Sequence, residues 1–156
     1  MIGLMKIPVT AVTLSLLTLI QSDAASDGQA QVWQADVQIR TLEVTKSKTG
    51  MTARIVIYNE RDDDARDARL VILLPLGVGI DRLASGCTAT AGPSMVPALR
   101  AAIECDLGTM PNRSIREVMV TTTVPPDVMV KRFGVFVYSS TPDPVPGNNY
   151  AERTIQ

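Results

Sequence analysis

Three groups of residues in this chain have chemistry to offer. The first is Cys87 and Cys105, the only two cysteines. The second is the acidic run over residues 60–67 (ERDDDARD), with Asp62, Asp63 and Asp64 at its centre. Clustered carboxylates are hard oxygen ligands and suit calcium, and a pair of them can also hydrolyse a glycoside. The run nevertheless has no glycine at the sixth position of a calcium loop and no glutamate at the twelfth. Arg61 and Arg66 offset its charge, so the expectation is a solvated turn, with Asp62, Asp63 and Asp64 as weak metal candidates. The third group is Asp143, Asn148 and Asn149 in TPDPVPGNN, residues 141–149. These either hold a calcium ion or partner, or close an irregular loop by bonding side chains to backbone. The structural role is the expectation.

Other chemistries lack their residues. Histidine is absent, which removes the commonest general base, metal ligand and pH switch. No nucleophile elbow, phosphate loop, dinucleotide fingerprint or zinc-protease motif occurs. No enzyme activity and no cofactor are expected. The net charge of -1 gives no electrostatic case for nucleic acid or an anionic membrane. Aromatic residues are 4% of the chain, which argues against a stacking platform for sugars or bases. Asn112-Arg113-Ser114 matches a glycosylation sequon and is read as a turn.

The N-terminus reads as an export leader over residues 1–24. A start with one lysine precedes the apolar PVTAVTLSLLTLI, and Ser22 and Ala24 supply the small residues of a cleavage site. As a helix the apolar run spans only about 20 Å, too short for a bilayer core. No membrane span is expected after cleavage. Export implies a secreted, periplasmic or cell-surface location. In an oxidising compartment Cys87 and Cys105 are expected to pair.

Elements able to position these groups follow from periodicity. Residues 25–34 read as a flexible segment and 35–156 as one domain. Residues 35–45 alternate apolar and polar but slip phase between Ile39 and Leu42, as a β-bulge produces. KSKTG, residues 46–50, reads as a turn. Met51, Ala53, Ile55 and Ile57 alternate with Thr52, Arg54 and Tyr58, the pattern of a half-buried antiparallel strand. Residues 68–76 are nearly all apolar and read as a strand buried on both faces, ended by Pro75, Gly77 and Gly79. Residues 80–84 suggest a short edge strand. Residues 87–105 form a hairpin-like excursion with a single helical turn in its proline-containing centre. The phrase C-D-L-G-x-x-x-x-x-S, residues 105–114, reads as a strand, a tight turn and the start of another strand. Strands are also expected over 114–124, 131–139 and 150–155. About seven strands with regular turns and no long helix predict an immunoglobulin-like antiparallel β-sandwich.

The second half, residues 70–155, resembles a repeated bacterial cell-surface domain known as domain of unknown function number eleven, and its cell-adhesion-related relatives. The resemblance is carried by LPLGV after an apolar strand and by ECDLGTMPNRSIREVMVTTTV, through Cys105, Leu107, Gly108 and Val124. It is carried most specifically by TPDPVPGNNYAERT, through Asp143, Pro144, Pro146, Asn148, Asn149 and Ala151. It implies an immunoglobulin-like sandwich on an exported protein, without catalytic residues. One copy and no anchor after Tyr150 make a lone module the expectation, not a tandem stalk. Two functions remain: a structural or adhesion module binding a protein or envelope component, and a small soluble periplasmic ligand-binding protein. A sheet edge can recruit a partner strand by backbone pairing alone, which leaves no motif.

Overall fold

The computed structural model describes residues 32–74, 77–91, 101–126, 129 and 132–155. The expected leader, Pro75, the centre of the excursion with its helical turn, and Lys131 lie outside the described residues. Nine strands follow in order: β1 (Val37–Lys46), β2 (Gly50–Asn59), β3 (Ala65–Leu74), β4 (Gly79–Arg82), β5 (Cys87–Ala91), β6 (Ala101–Met110), β7 (Ile115–Thr123), β8 (Arg132–Tyr138) and β9 (Tyr150–Thr154). A short 3-10 turn, Pro146–Asn148, precedes β9.

The strands form two antiparallel sheets, a four-stranded one of order β1-β2-β7-β4 and a five-stranded one of order β5-β6-β3-β8-β9. β1, β2 and β7 take the A, B and E places of an immunoglobulin sandwich, and β3, β8 and β9 take C, F and G. β4 stands where D would, and the β5–β6 pair extends the second sheet beyond C. The all-β sandwich expected from sequence is therefore observed, with nine strands instead of about seven.

The phase slip in β1 is a real bulge. The register steps from Ile39↔Ile57 to Thr41↔Val56, leaving Arg40 extra. In β2, Met51, Ala53, Ile55 and Ile57 all point into the core. Between these strands Ser47 closes the turn, its Oγ accepting from the Gly50 N–H at 3.1 Å. A Cβ on Gly50 would lie 2.1 Å from the Thr122 carbonyl oxygen, so only glycine lets β2 and β7 approach there.

One expectation needs correction. Of the strand expected over residues 68–76, the described part, 68–74, is not buried on both faces: Ala68, Leu70, Ile72 and Leu74 are sealed, while Arg69, Val71 and Leu73 are half-buried. An antiparallel sheet commonly packs one face on the core and leaves the other to solvent. The strand also begins earlier, at Ala65, because Asp67 adopts the left-handed region (φ 49°) and bulges out. Ala65 and Ala68 can then both face inward. The phrase over residues 105–114 folds as expected: β6 runs to Met110, the chain turns where the Ser114 N–H reaches the Pro111 carbonyl and Arg113 takes φ 53°, and β7 starts at Ile115. Within β6, Gly108 (φ 65°) makes a bulge, with the Asp106 carboxylate accepting its N–H at 2.8 Å.

The inner faces of both sheets form one core around Phe133, Met51, Ile55, Ile72 and Ile103. Cys87 and Cys105 sit directly opposite each other on β5 and β6 and are joined by a disulfide. Cys105 is buried and Cys87 half-buried, so the bond faces inward and closes one flank of the core. At the other flank β1 and β9 border a groove of about 650 Å³. Arg153 reaches across it from β9 and donates its Nε–H to the Leu42 carbonyl at 2.9 Å.

Candidate functional site

Strand β8, RFGVFVY, sends Phe133, Val135 and Val137 into the core, so period-two alternation sends Phe136 and Tyr138 outward. Cross-strand register then builds a patch. Val71 on β3 lies opposite Phe136, which lies opposite Tyr150 on β9. Arg69 lies opposite Tyr138, and Leu73 opposite Gly134. The Phe136 and Tyr138 rings stack with centroids 5.7 Å apart and planes at 21°. Tyr150 leans over Gly134, where an added Cβ would meet its hydroxyl at 3.2 Å. Its O–H donates to Glu152 Oε2 at 2.8 Å; partial burial first, and then that carboxylate, hold the phenol above the usual tyrosine range.

Phe136, Tyr138 and Tyr150 are 40%, 37% and 49% exposed. The chain has one tryptophan, three tyrosines and two phenylalanines, so half of its aromatic rings share this outer face. Ion pairs border it: Arg69 with Glu104 at 2.8 Å and Arg132 with Glu152 at 3.5 Å. Apolar rings framed by charges are the composition of a protein contact surface. The low aromatic content hid this face, because composition does not see register. Phe133 and Phe136 have opposite parity in one strand, a signal that one of them must point outward.

A second feature lies at one end of the sandwich. Trp33, Asp62, Asp63, Asp64, Arg66, Ser140, Thr141 and Pro142 line a cleft of about 330 Å³. The Arg66 guanidinium carbon sits 5.9 Å from the centre of the Trp33 ring. The three aspartates are not a plain solvated turn. Asp63 Oδ2 accepts the Gln34 N–H at 2.8 Å and Asp64 Oδ1 accepts the Asn112 N–H at 3.2 Å. Asp62 meets only Arg113, at 3.1 Å, with both side chains mostly exposed. Among the described residues, no three of His, Cys, Asp and Glu gather to hold a metal.

This difference sets an expected outcome. Asp63→Ala should cost about 1 kcal/mol, the scale of a charge-assisted hydrogen bond weakened by partial exposure. Asp62→Ala should stay within about 0.5 kcal/mol. Urea unfolding of the two variants side by side checks this, and equal effects would refute it.

Loop residues 141–149 are tied to both sheets. Thr141 Oγ accepts the Arg66 N–H and donates to the Asp64 carbonyl, each at 3.0 Å. Asp143 accepts the Val37 N–H at 3.2 Å and the Val145 N–H at 2.8 Å. Asn148 donates to Asp36 Oδ1 at 2.9 Å, and the buried Asn149 offers its carbonyl to the Val137 N–H. Asn59, which drew no notice in the sequence, is fully buried where these segments meet. Its isolated polar position at the end of an apolar strand was the available signal.

Among the described residues, no helix is long and apolar enough to cross a membrane. The chain matches no family model and no curated protein. The likeness read from residues 70–155 therefore rests on its quoted residues alone. Among solved structures the chain is similar to a GH20 exo-β-N-acetylglucosaminidase from Vibrio harveyi in complex with N-acetylglucosamine, at 8% identity and a TM-score of 0.31. An inactive mutant of that enzyme gives the same values. The match covers 80% of this chain but only 18% of the enzyme, and a likeness this slight bears on neither fold nor activity.

Proposed function

We propose that this chain is an exported, non-catalytic interaction module of the bacterial cell envelope, and that it docks a partner on the outer face of its five-stranded sheet. The carrying observation is the contiguous exposed block of Phe136, Tyr138 and Tyr150 beside Val71 and Leu73. Exposed aromatic rings supply large contact area at low entropy cost and dominate binding energy at interfaces. The disulfide supports an oxidising compartment, as does the leader expected over residues 1–24. The resemblance to the cell-surface domain points the same way.

The cleft around Trp33 favours a second reading, a small soluble periplasmic protein that binds a polar ligand. The two readings separate in one experiment. The purified chain is screened against fractionated envelope proteins, surface polysaccharides and a panel of hydrolase substrates. Docking on the sheet predicts saturable binding that weakens at least about ten-fold when Phe136, Tyr138 and Tyr150 are changed to serine, with the fold retained. Ligand capture in the cleft predicts a change in fluorescence of Trp33, the only tryptophan, untouched by that triple change. Turnover abolished by replacing a single carboxylate would overturn the non-catalytic reading.

A further inference from the structure

Asp36 is 7% exposed. A carboxylate removed from water must be paired or coordinate a metal, or its burial is heavily unfavourable. Among the described residues, five ion pairs form, and neither Asp36 nor Asp143 belongs to any of them. Asp143 comes close to Asp36: its Oδ2 accepts the N–H of Val37, the next residue along the chain. On the loop that follows Asp143, Asn148 Oδ1 and Asn149 Oδ1 are sealed from solvent and have no hydrogen-bond partner. Asn149 is itself only 5% exposed.

Turning over the Asn148 amide does not resolve this. Asn148 already donates its Nδ2–H to Asp36 Oδ1 at 2.9 Å. Turning that amide over would set an oxygen against the carboxylate. Amide bond lengths put Nδ2 and Oδ1 about 2.2 Å apart, so Asn148 Oδ1 lies within about 5 Å of Asp36 Oδ1. A cation with oxygen contacts of about 2.3–2.6 Å bridges that span. Each carboxylate oxygen has a second lone pair beyond the hydrogen bond it accepts.

We propose that Asp36, Asp143, Asn148 and Asn149 form a calcium site, with the carboxylates balancing the ion's charge and the amide oxygens completing the shell. The donors are all hard oxygens. The chain has no histidine, and its cysteines are spent in the disulfide, which disfavours zinc. Two carboxylates are a low charge count. The affinity therefore falls at the weak end of protein calcium sites, about 10⁻⁴–10⁻³ M, where extracellular modules work. The bound ion pins the 3-10 turn to the start of β1. This site is independent of the docking face and stands or falls without it.

Scanning calorimetry of the full disulfide-bonded chain tests it. Calcium chloride up to about 10 mM should raise the melting temperature in a saturating way by about 3–8 °C, reversed by a chelator. Asp143→Asn and Asp36→Asn should each abolish the rise or move it to at least ten-fold higher calcium. Asp62→Asn, outside the site, should leave it intact. A flat response in the unaltered chain, as a buried water would give, overturns the proposal. A rise of unchanged size in both site variants overturns it as well.

Discussion

Replacing Asn59 by alanine is expected to remove about 3 kcal/mol of stability. The side chain is fully buried and serves four partners. Its Oδ1 accepts the Asp36 N–H at 3.3 Å. Its Nδ2 donates to the carbonyls of Asp63, Met110 and Pro111 at 2.8, 3.0 and 3.3 Å. One amide thus joins the approach to β1, the end of β2, the acidic turn and the β6–β7 turn. Alanine leaves a buried donor and buried carbonyls unsatisfied, each costing about 1 kcal/mol or more, and adds a small void. Urea unfolding should show the midpoint falling with an unchanged slope. Asn59→Asp keeps the acceptor but loses both donors and buries a charge, so it should be worse still at neutral pH. A loss below about 1 kcal/mol for alanine would show that water replaces the amide, and would sink the argument.

Removing the disulfide by changing Cys87 and Cys105 together to alanine should cost a similar amount. The cysteines are 18 residues apart, and closing a loop of that length in the unfolded chain is worth about 3 kcal/mol. The loss should be unevenly distributed. β5 is an edge strand held by β6 alone, so without the bond its five residues have only one ladder to keep them. Amide exchange at Thr88, Ala89 and Thr90 should accelerate far more than in β3, the central strand of the same sheet. Unchanged stability after reduction, or uniform acceleration across the sheet, would refute this.

How much of this was legible depends on what each feature rests on. The bulge in β1 and the inward face of β2 follow from side-chain parity, which is local, so Ile39, Leu42 and Met51 through Ile57 announced them. The β5–β6 pair was legible only as a hairpin-like excursion ending in a short strand at CDLG, not as a five- and a ten-residue strand of the sheet. CTATA and AAIECDLGTM are rich in Ala, Glu, Asp and Gly, which are depleted in strands. Pairing with central β3 overrides that preference, and such pairing is long-range. The bulges at Asp67 and Gly108 were hidden for the same reason. Asn59 was visible as a residue but not as a junction, because its partners lie 4 to 52 positions away along the chain. The aromatic face required knowing which strands flank β8.

The Arg153 contact with Leu42 has a consequence for how copies of this chain behave when crowded. β1 is the longest edge strand of the two sheets, and a long unpaired edge is a template for cross-β growth. Here one carbonyl of that edge is already occupied by a guanidinium, whose charge would have to be desolvated before another strand could pair. Arg40, bulged out of register on the same strand, interrupts the row a few residues earlier. The opposite edge of that sheet is only four residues long. Together these disfavour edge-to-edge pairing of the four-stranded sheet between crowded copies of the folded chain.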